Sequence, residues 1–110
     1  MKEVNRPWGN FKQFVKNKKC TVKIHTVKPN QELSLQYHKK RKEMWYFLTD
    51  GFVQIGLEKL KVKKGEIVWI KKLQAHRAFA KDKKVQFLEI SFGKFSERDE
   101  TRIEDKYGRG

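Results

Sequence analysis

Between residues 11 and 92 the chain is a succession of short runs, apolar or alternating between apolar and polar, each closed by turn residues. A period of two is that of a half-buried strand, and β-branched and aromatic side chains suit a pleated surface. Phe11 to Val15 is the first such run. Cys20 to Val27 alternates Val22, Ile24 and Thr26 against Thr21, Lys23 and His25, and stops at Pro29-Asn30. Glu32 to His38 alternates again. Met44 to Thr49 is apolar and aromatic and ends at Asp50-Gly51, which reads as a hairpin signal. Phe52 to Gly56 and Lys59 to Val62 flank a second turn, and Lys63-Lys64-Gly65-Glu66 leads into Ile67 to Ile70. His76 to Ala80 and Val85 to Phe92 are separated by Lys81-Asp82-Lys83. Both prolines fall outside these runs, as strands require. No segment before residue 95 keeps a helical period, and the polar tail from Ser96 to Gly110 has room for one short helical turn. The pattern predicts an all-β sandwich or barrel.

The length of 110 residues is room for one domain, expected over 1–110, with one core and no need of staples. Hydrophobic residues at 37% and aromatics at 13% exclude disorder. A single cysteine, Cys20, cannot form an internal disulfide and fits a reducing compartment. The N-terminus has no apolar signal region, and no apolar run approaches the about 20 residues of a membrane helix. The expected location is cytoplasmic, without a membrane partner. The 27 Lys and Arg against 13 Asp and Glu leave a charge of +14. That balance invites a nucleic-acid reading. However, the lysines are scattered in pairs along the whole chain, as residues that solvate an outer sheet face would be. A nucleic-acid partner is therefore not expected.

Of His25, His38 and His76, the last two stand out. His38 ends one run and His76 begins another. In a jelly roll such strands can be neighbours, and converging imidazoles would make a metal or acid–base site. Around His38, the segment from Gln36 to Trp45 gathers an amide, an imidazole, a guanidinium and a carboxylate. An ordinary basic loop is the plain alternative.

Arg6-Pro7-Trp8-Gly9, Thr26-Val27-Lys28-Pro29 and Leu33-Ser34-Leu35-Gln36-Tyr37-His38 carry a further signal. They are followed by Arg41, Glu43, Trp45, Gly51, His76-Arg77, Leu88 to Gly93 and the tail Arg102 to Arg109. In that order they resemble the C-terminal cupin domain of type II mannose-6-phosphate isomerases, the bifunctional enzymes that also carry a mannose-1-phosphate guanylyltransferase. The glycine-rich nucleotide loop of the guanylyltransferase half has no counterpart here. The resemblance implies a cupin, that is, a double-stranded β-helix or jelly-roll barrel.

It also implies a phosphorylated sugar as ligand, a homodimer, and interconversion of mannose 6-phosphate and fructose 6-phosphate or a related phosphosugar. The aromatic Trp8, Phe11 and Phe14 near the N-terminus suit a self-associating surface. Four metal-ligand slots fall on His38, Lys40, Met44 and His76, of which two are histidines. A divalent metal (Zn, Mn, Fe or Ni) is thus expected to be held weakly or not at all, with Gln36 or Glu43 as substitute ligands. For the chemistry, Glu43 or Glu89 would be the base, and Lys40 would place an ammonium where a metal's charge is missing. Gln36, Arg41 and Arg77 would bind the substrate, the arginines its phosphate. Alternatives are a non-catalytic module that binds a sugar phosphate or nucleotide sugar, and a nucleic-acid binder using the basic surface.

Overall fold

The computed structural model describes residues 1–93 and 96–105. The described residues form eleven strands and one 3-10 turn. The strands are β1 (Lys2–Arg6), β2 (Gly9–Gln13), β3 (Cys20–Val27), β4 (Leu35–Tyr37), β5 (Lys42–Phe47), β6 (Gly51–Ile55), β7 (Glu58–Val62), β8 (Ile67–Ile70), β9 (His76–Phe79), β10 (Val85–Phe92) and β11 (Thr101–Glu104). The turn spans Glu97–Asp99, capped by the Ser96 side chain. No helix among the described residues is long and apolar enough to cross a membrane.

Two antiparallel sheets, ordered β3-β10-β5-β8 and β11-β4-β9-β6-β7, hold the core between them, and β1 and β2 form a separate hairpin. Val27, Trp45, Phe47, Val53, Val62, Ile70, Ala78, Val85 and Phe87 come from both sheets and pack as one cluster. Trp45 and Phe47 lie 4.5 and 5.2 Å from the Phe87 ring. Truncating any of these rings would cost about 3–5 kcal/mol.

The period of two assigns each strand's inward row. On β5 it is Glu43, Trp45 and Phe47; on β10 it is Val85, Phe87, Glu89 and Ser91. Pairing sets Phe87 beside Phe47, Glu89 beside Trp45 and Ser91 beside Glu43. The interior therefore passes from apolar to polar along one strand pair, with Trp45 at the boundary. On β9, Ala78 belongs to the apolar part and His76 to the polar part.

The chain departs from its sequence pattern in three places. Asp50-Gly51 does not close a hairpin: β5 pairs with β10 and β8, whereas β6 pairs with β7 and β9 in the other sheet. The dipeptide carries the chain between sheets, and a Cβ at Gly51 would come within 2.7 Å of Val85 and 3.0 Å of Phe47. The run from Glu32 to His38 narrows to β4, with a single bridge from Glu32 to Phe79. Finally, β1 and β11 have almost no buried residue, so no apolar alternation announced them. The Lys106 to Arg109 portion of the tail lies outside the described residues.

Candidate functional site

The polar end of the interior is built from His38, Arg41, Glu43, His76, Glu89 and Ser91, all buried. His38 lies just past the end of β4, and His76 opens β9. The two strands are neighbours through the Gln36–His76 pair, so the histidines converge as expected, with ring centroids 5.0 Å apart.

Each ring is oriented by a backbone carbonyl. His38 Nδ1 donates to the Asp99 carbonyl at 2.9 Å, and His76 Nδ1 to the Gln74 carbonyl at 2.7 Å. Both Nε2 atoms therefore present lone pairs to the interior. His76 Nε2 is buried without a hydrogen-bond partner. Burial pulls the His76 pKa down to about 4, outweighing the Gln74 carbonyl, which works upward.

Glu43 lies at the centre. Its Oε1 accepts from Trp45 Nε1 at 3.0 Å, and its Oε2 accepts from Arg41 Nε at 2.9 Å and Ser91 Oγ at 3.3 Å. Its carboxylate is 3.4 Å from His38 Nε2 and 3.8 Å from His76 Nε2. Burial raises Glu43 above the usual carboxylate range. Glu89 adds to this, while His38, Arg41 and the Trp45 N–H oppose it.

Glu89 shifts the other way. Burial works upward on it, but His25, Glu43 and Arg41 outweigh burial and hold it below the usual range. His25 Nε2 stands 3.3 Å from Glu89 Oε1, an ion-pair distance without hydrogen-bond alignment. Ser91 Oγ reaches Glu89 at 3.4 Å and so bridges the two carboxylates.

Gln36 shares the inward row with His76. With its amide nitrogen toward the acceptors, it donates to Ser34 Oγ at 2.9 Å and to the Glu100 carboxylate at 2.9 and 3.2 Å.

Three expected residues fall elsewhere. Lys40, expected to supply the charge of a missing metal, shares no strand face with His38: β4 ends at Tyr37 and Lys40 is exposed on the following bend. The Asp99 carboxylate accepts from the Lys39 and Lys40 amides at 2.8 and 3.0 Å, and so holds the chain out of the strand there. Met44 is one residue from Glu43 and thus faces the other side of β5, among Phe14, Trp69 and Phe92. Arg77, one residue after His76, is likewise on the outer face. It donates to Glu32 at 2.6 Å and Gln54 at 3.1 Å and pairs with Glu104 at 3.0 Å, so two carboxylates neutralise it there.

Trp45 and Ser91 are site residues that the sequence argument passed over. Both were within reach of it, each two residues along an inward row from a carboxylate. Asp99 and Gln74 act through contacts that no local pattern foretells.

His38, Glu43 and His76 could supply three donor atoms to a metal ion, all within 4.8 Å of one another. Two imidazole nitrogens and one carboxylate are suitable chemistry for Zn, Mn, Fe or Ni. The arrangement as it stands does not fit one. Arg41 Nη2 is 3.3 Å from His38 Nε2 while its Nε binds Glu43 Oε2, so a guanidinium already meets two of the three donors.

The sequence matches the family of mannose-6-phosphate isomerase C-terminal domains over residues 1–105. It is 33% identical over 112 residues to the mannose-1-phosphate guanylyltransferase ManC of Salmonella typhimurium, spanning 98% of this chain and 23% of that protein. It is 32% identical over 111 residues to the alginate biosynthesis protein AlgA of Pseudomonas aeruginosa, spanning 97% of this chain and 23% of that one. The chain thus spans about a quarter of the length of these relatives.

Among solved structures, the capsular polysaccharide assembling protein CapF of Staphylococcus aureus superposes with a TM-score of 0.71 at 16% identity, over 94% of this chain and 34% of that one. A double-stranded β-helix protein of Klebsiella pneumoniae gives 0.70 at 17% identity, over 83% and 80%. These structural likenesses identify the fold as the expected cupin.

Proposed function

This chain belongs to the mannose-6-phosphate isomerase C-terminal family, and on that premise we propose that it is a sugar-phosphate isomerase-like cupin that interconverts mannose 6-phosphate and fructose 6-phosphate or a related phosphosugar. The observation that carries the reading is the buried pair Glu43 and Glu89, whose surroundings push their proton affinities apart. Aldose–ketose isomerisation moves a proton between adjacent carbons and another between their oxygens. It therefore needs a base and an acid together, and a carboxylate with a carboxyl of higher proton affinity can fill both roles. Glu89, held ionised beside His25, is the base that takes the carbon-bound proton. Glu43, whose proton affinity burial raises, is the acid that serves the oxygen. Gln36, on the inward row beside His76, is the substrate-facing group at the rim.

A coupled assay of the purified chain with mannose 6-phosphate is expected to show turnover, and Glu89→Gln to lower it on the order of 100- to 10,000-fold. One observation favours the alternative of a binding module: His38, Arg41 and Glu43 are bonded to each other. Saturable binding of mannose 6-phosphate without turnover would establish that reading in place of the first.

We also propose a homodimer through the outer face of the β3-β10-β5-β8 sheet. Val22 and Ile24 are 53% and 61% exposed on that face, and Phe11 of the N-terminal hairpin lies beside Val22 at 40%. Light scattering should give twice the 13.2 kDa chain mass; the mass of one chain at micromolar concentration rejects the dimer.

A further inference from the structure

We propose that the Arg41 guanidinium is the resident cation of the His38–Glu43–His76 cluster and excludes a divalent metal from it. Arg41 is 4% exposed, so its charge is committed to the interior. Its Nε donates to Glu43 Oε2 at 2.9 Å, its Nη2 meets His38 Nε2 at 3.3 Å, and its Nη1 donates to the Ser96 carbonyl at 3.2 Å. The carbonyl of Asp99 fixes the His38 tautomer, so the lone pair that a metal would need is the one facing the guanidinium.

A divalent ion would have to draw His38, Glu43 and His76 donors to about 2.0–2.2 Å of one point. That requires expelling Arg41 from two of them. A lysine or histidine can yield such a place by losing its proton, but a guanidinium does not deprotonate in proteins. A dication would therefore sit against a permanent positive charge at low dielectric.

The same placement gives Arg41 a catalytic part that rests on the isomerase reading. It supplies, without reorganisation, the positive charge that stabilises an oxygen on which charge develops. This is the role that Lys40, exposed on its bend, does not reach.

The metal half is tested without any assay of turnover. The purified full chain is dialysed, then titrated with Co²⁺ followed by its visible absorption and with Zn²⁺ by calorimetry. Arg41→Met is treated in parallel. The wild-type protein should show no stoichiometric site, and Arg41→Met should gain one, with affinity tighter on the order of 10- to 100-fold. Two results overturn the proposal: one equivalent bound by the wild type and lost in His76→Ala, or no gain in a folded Arg41→Met. If Arg41→Met does not fold, Arg41→Gln replaces it, since its amide still reaches toward Glu43. Absence of isomerase activity would remove the catalytic part and leave the titration result standing.

Discussion

Replacing Glu43 with alanine is expected to cost about 3–5 kcal/mol of stability, the range for breaking a buried ion pair from one side. Glu43 is fully buried and accepts from the Arg41 guanidinium, the Trp45 indole and the Ser91 hydroxyl. The variant leaves the guanidinium buried without its carboxylate and the Trp45 N–H without an acceptor, while opening a cavity at the centre of the polar end. Against the 5–15 kcal/mol that holds a typical domain together, such a loss is a large share. The arginine is the origin of most of it. Pairing Glu43→Leu with Arg41→Met, which removes both charges and fills the volume, should therefore recover most of the deficit. Urea unfolding of the two single variants and the double variant measures this. A Glu43→Ala protein within 1 kcal/mol of wild type, or a double variant whose loss equals the sum of the singles, would show that the pair is not coupled.

His76 should make the protein lose stability as the pH falls from about 6.5 to about 4. Unfolded, this histidine takes up a proton near its ordinary value of 6.5; folded, burial delays that to about 4. Between these values the unfolded state holds the extra proton, so acid favours unfolding. The difference of about 2.5, at about 1.36 kcal/mol per unit of pH, is worth about 3 kcal/mol. It is fully present above pH 6.5 and spent by pH 4. Glu43 acts in the opposite sense. Its raised value favours the folded state at low pH, and that contribution is lost as the pH rises above 4.5. Comparison with His76→Gln isolates the histidine. Unfolding free energies at pH 7 and pH 4 should differ by about 3 kcal/mol more in the wild type than in the variant. Equal pH dependence in the two proteins would mean that His76 is not buried neutral.

Most of the core strands were legible because one face of each is buried, which writes a period of two into the residues. The same period contains more than strand positions. It puts Trp45 on the row of Glu43 and Ser91 on the row of Glu89, and it puts Met44 and Arg77 on the opposite faces from Glu43 and His76. Counting two residues rather than one from each motif residue would have moved Arg77 out of the phosphate role. Lys40 could not be corrected this way. Its displacement depends on Asp99 accepting from the Lys39 and Lys40 amides across some sixty positions of sequence. β1 and β11, exposed on nearly every residue, wrote no pattern to read.

The bonds to Asp99 also bear on the order of events as the chain folds. Asp99 contributes its carbonyl to the His38 ring and its carboxylate to the two following amides, at separations of 61, 60 and 59 residues. The β3–β10 ladder, from Val85–Val27 to Phe92–Cys20, spans separations as long, and once it has formed the loop left to close between Asp99 and His38 is short. The paired strands from Cys20 to Phe92 can condense before Asp99 docks, because none of their ladder partners lies beyond Phe92 except β11 on β4. Until then His38 has no carbonyl to choose between its two nitrogens. On a ribosome, the barrel would thus be closed while its chemistry was still unset, and the last described residues to emerge would arm a scaffold already built.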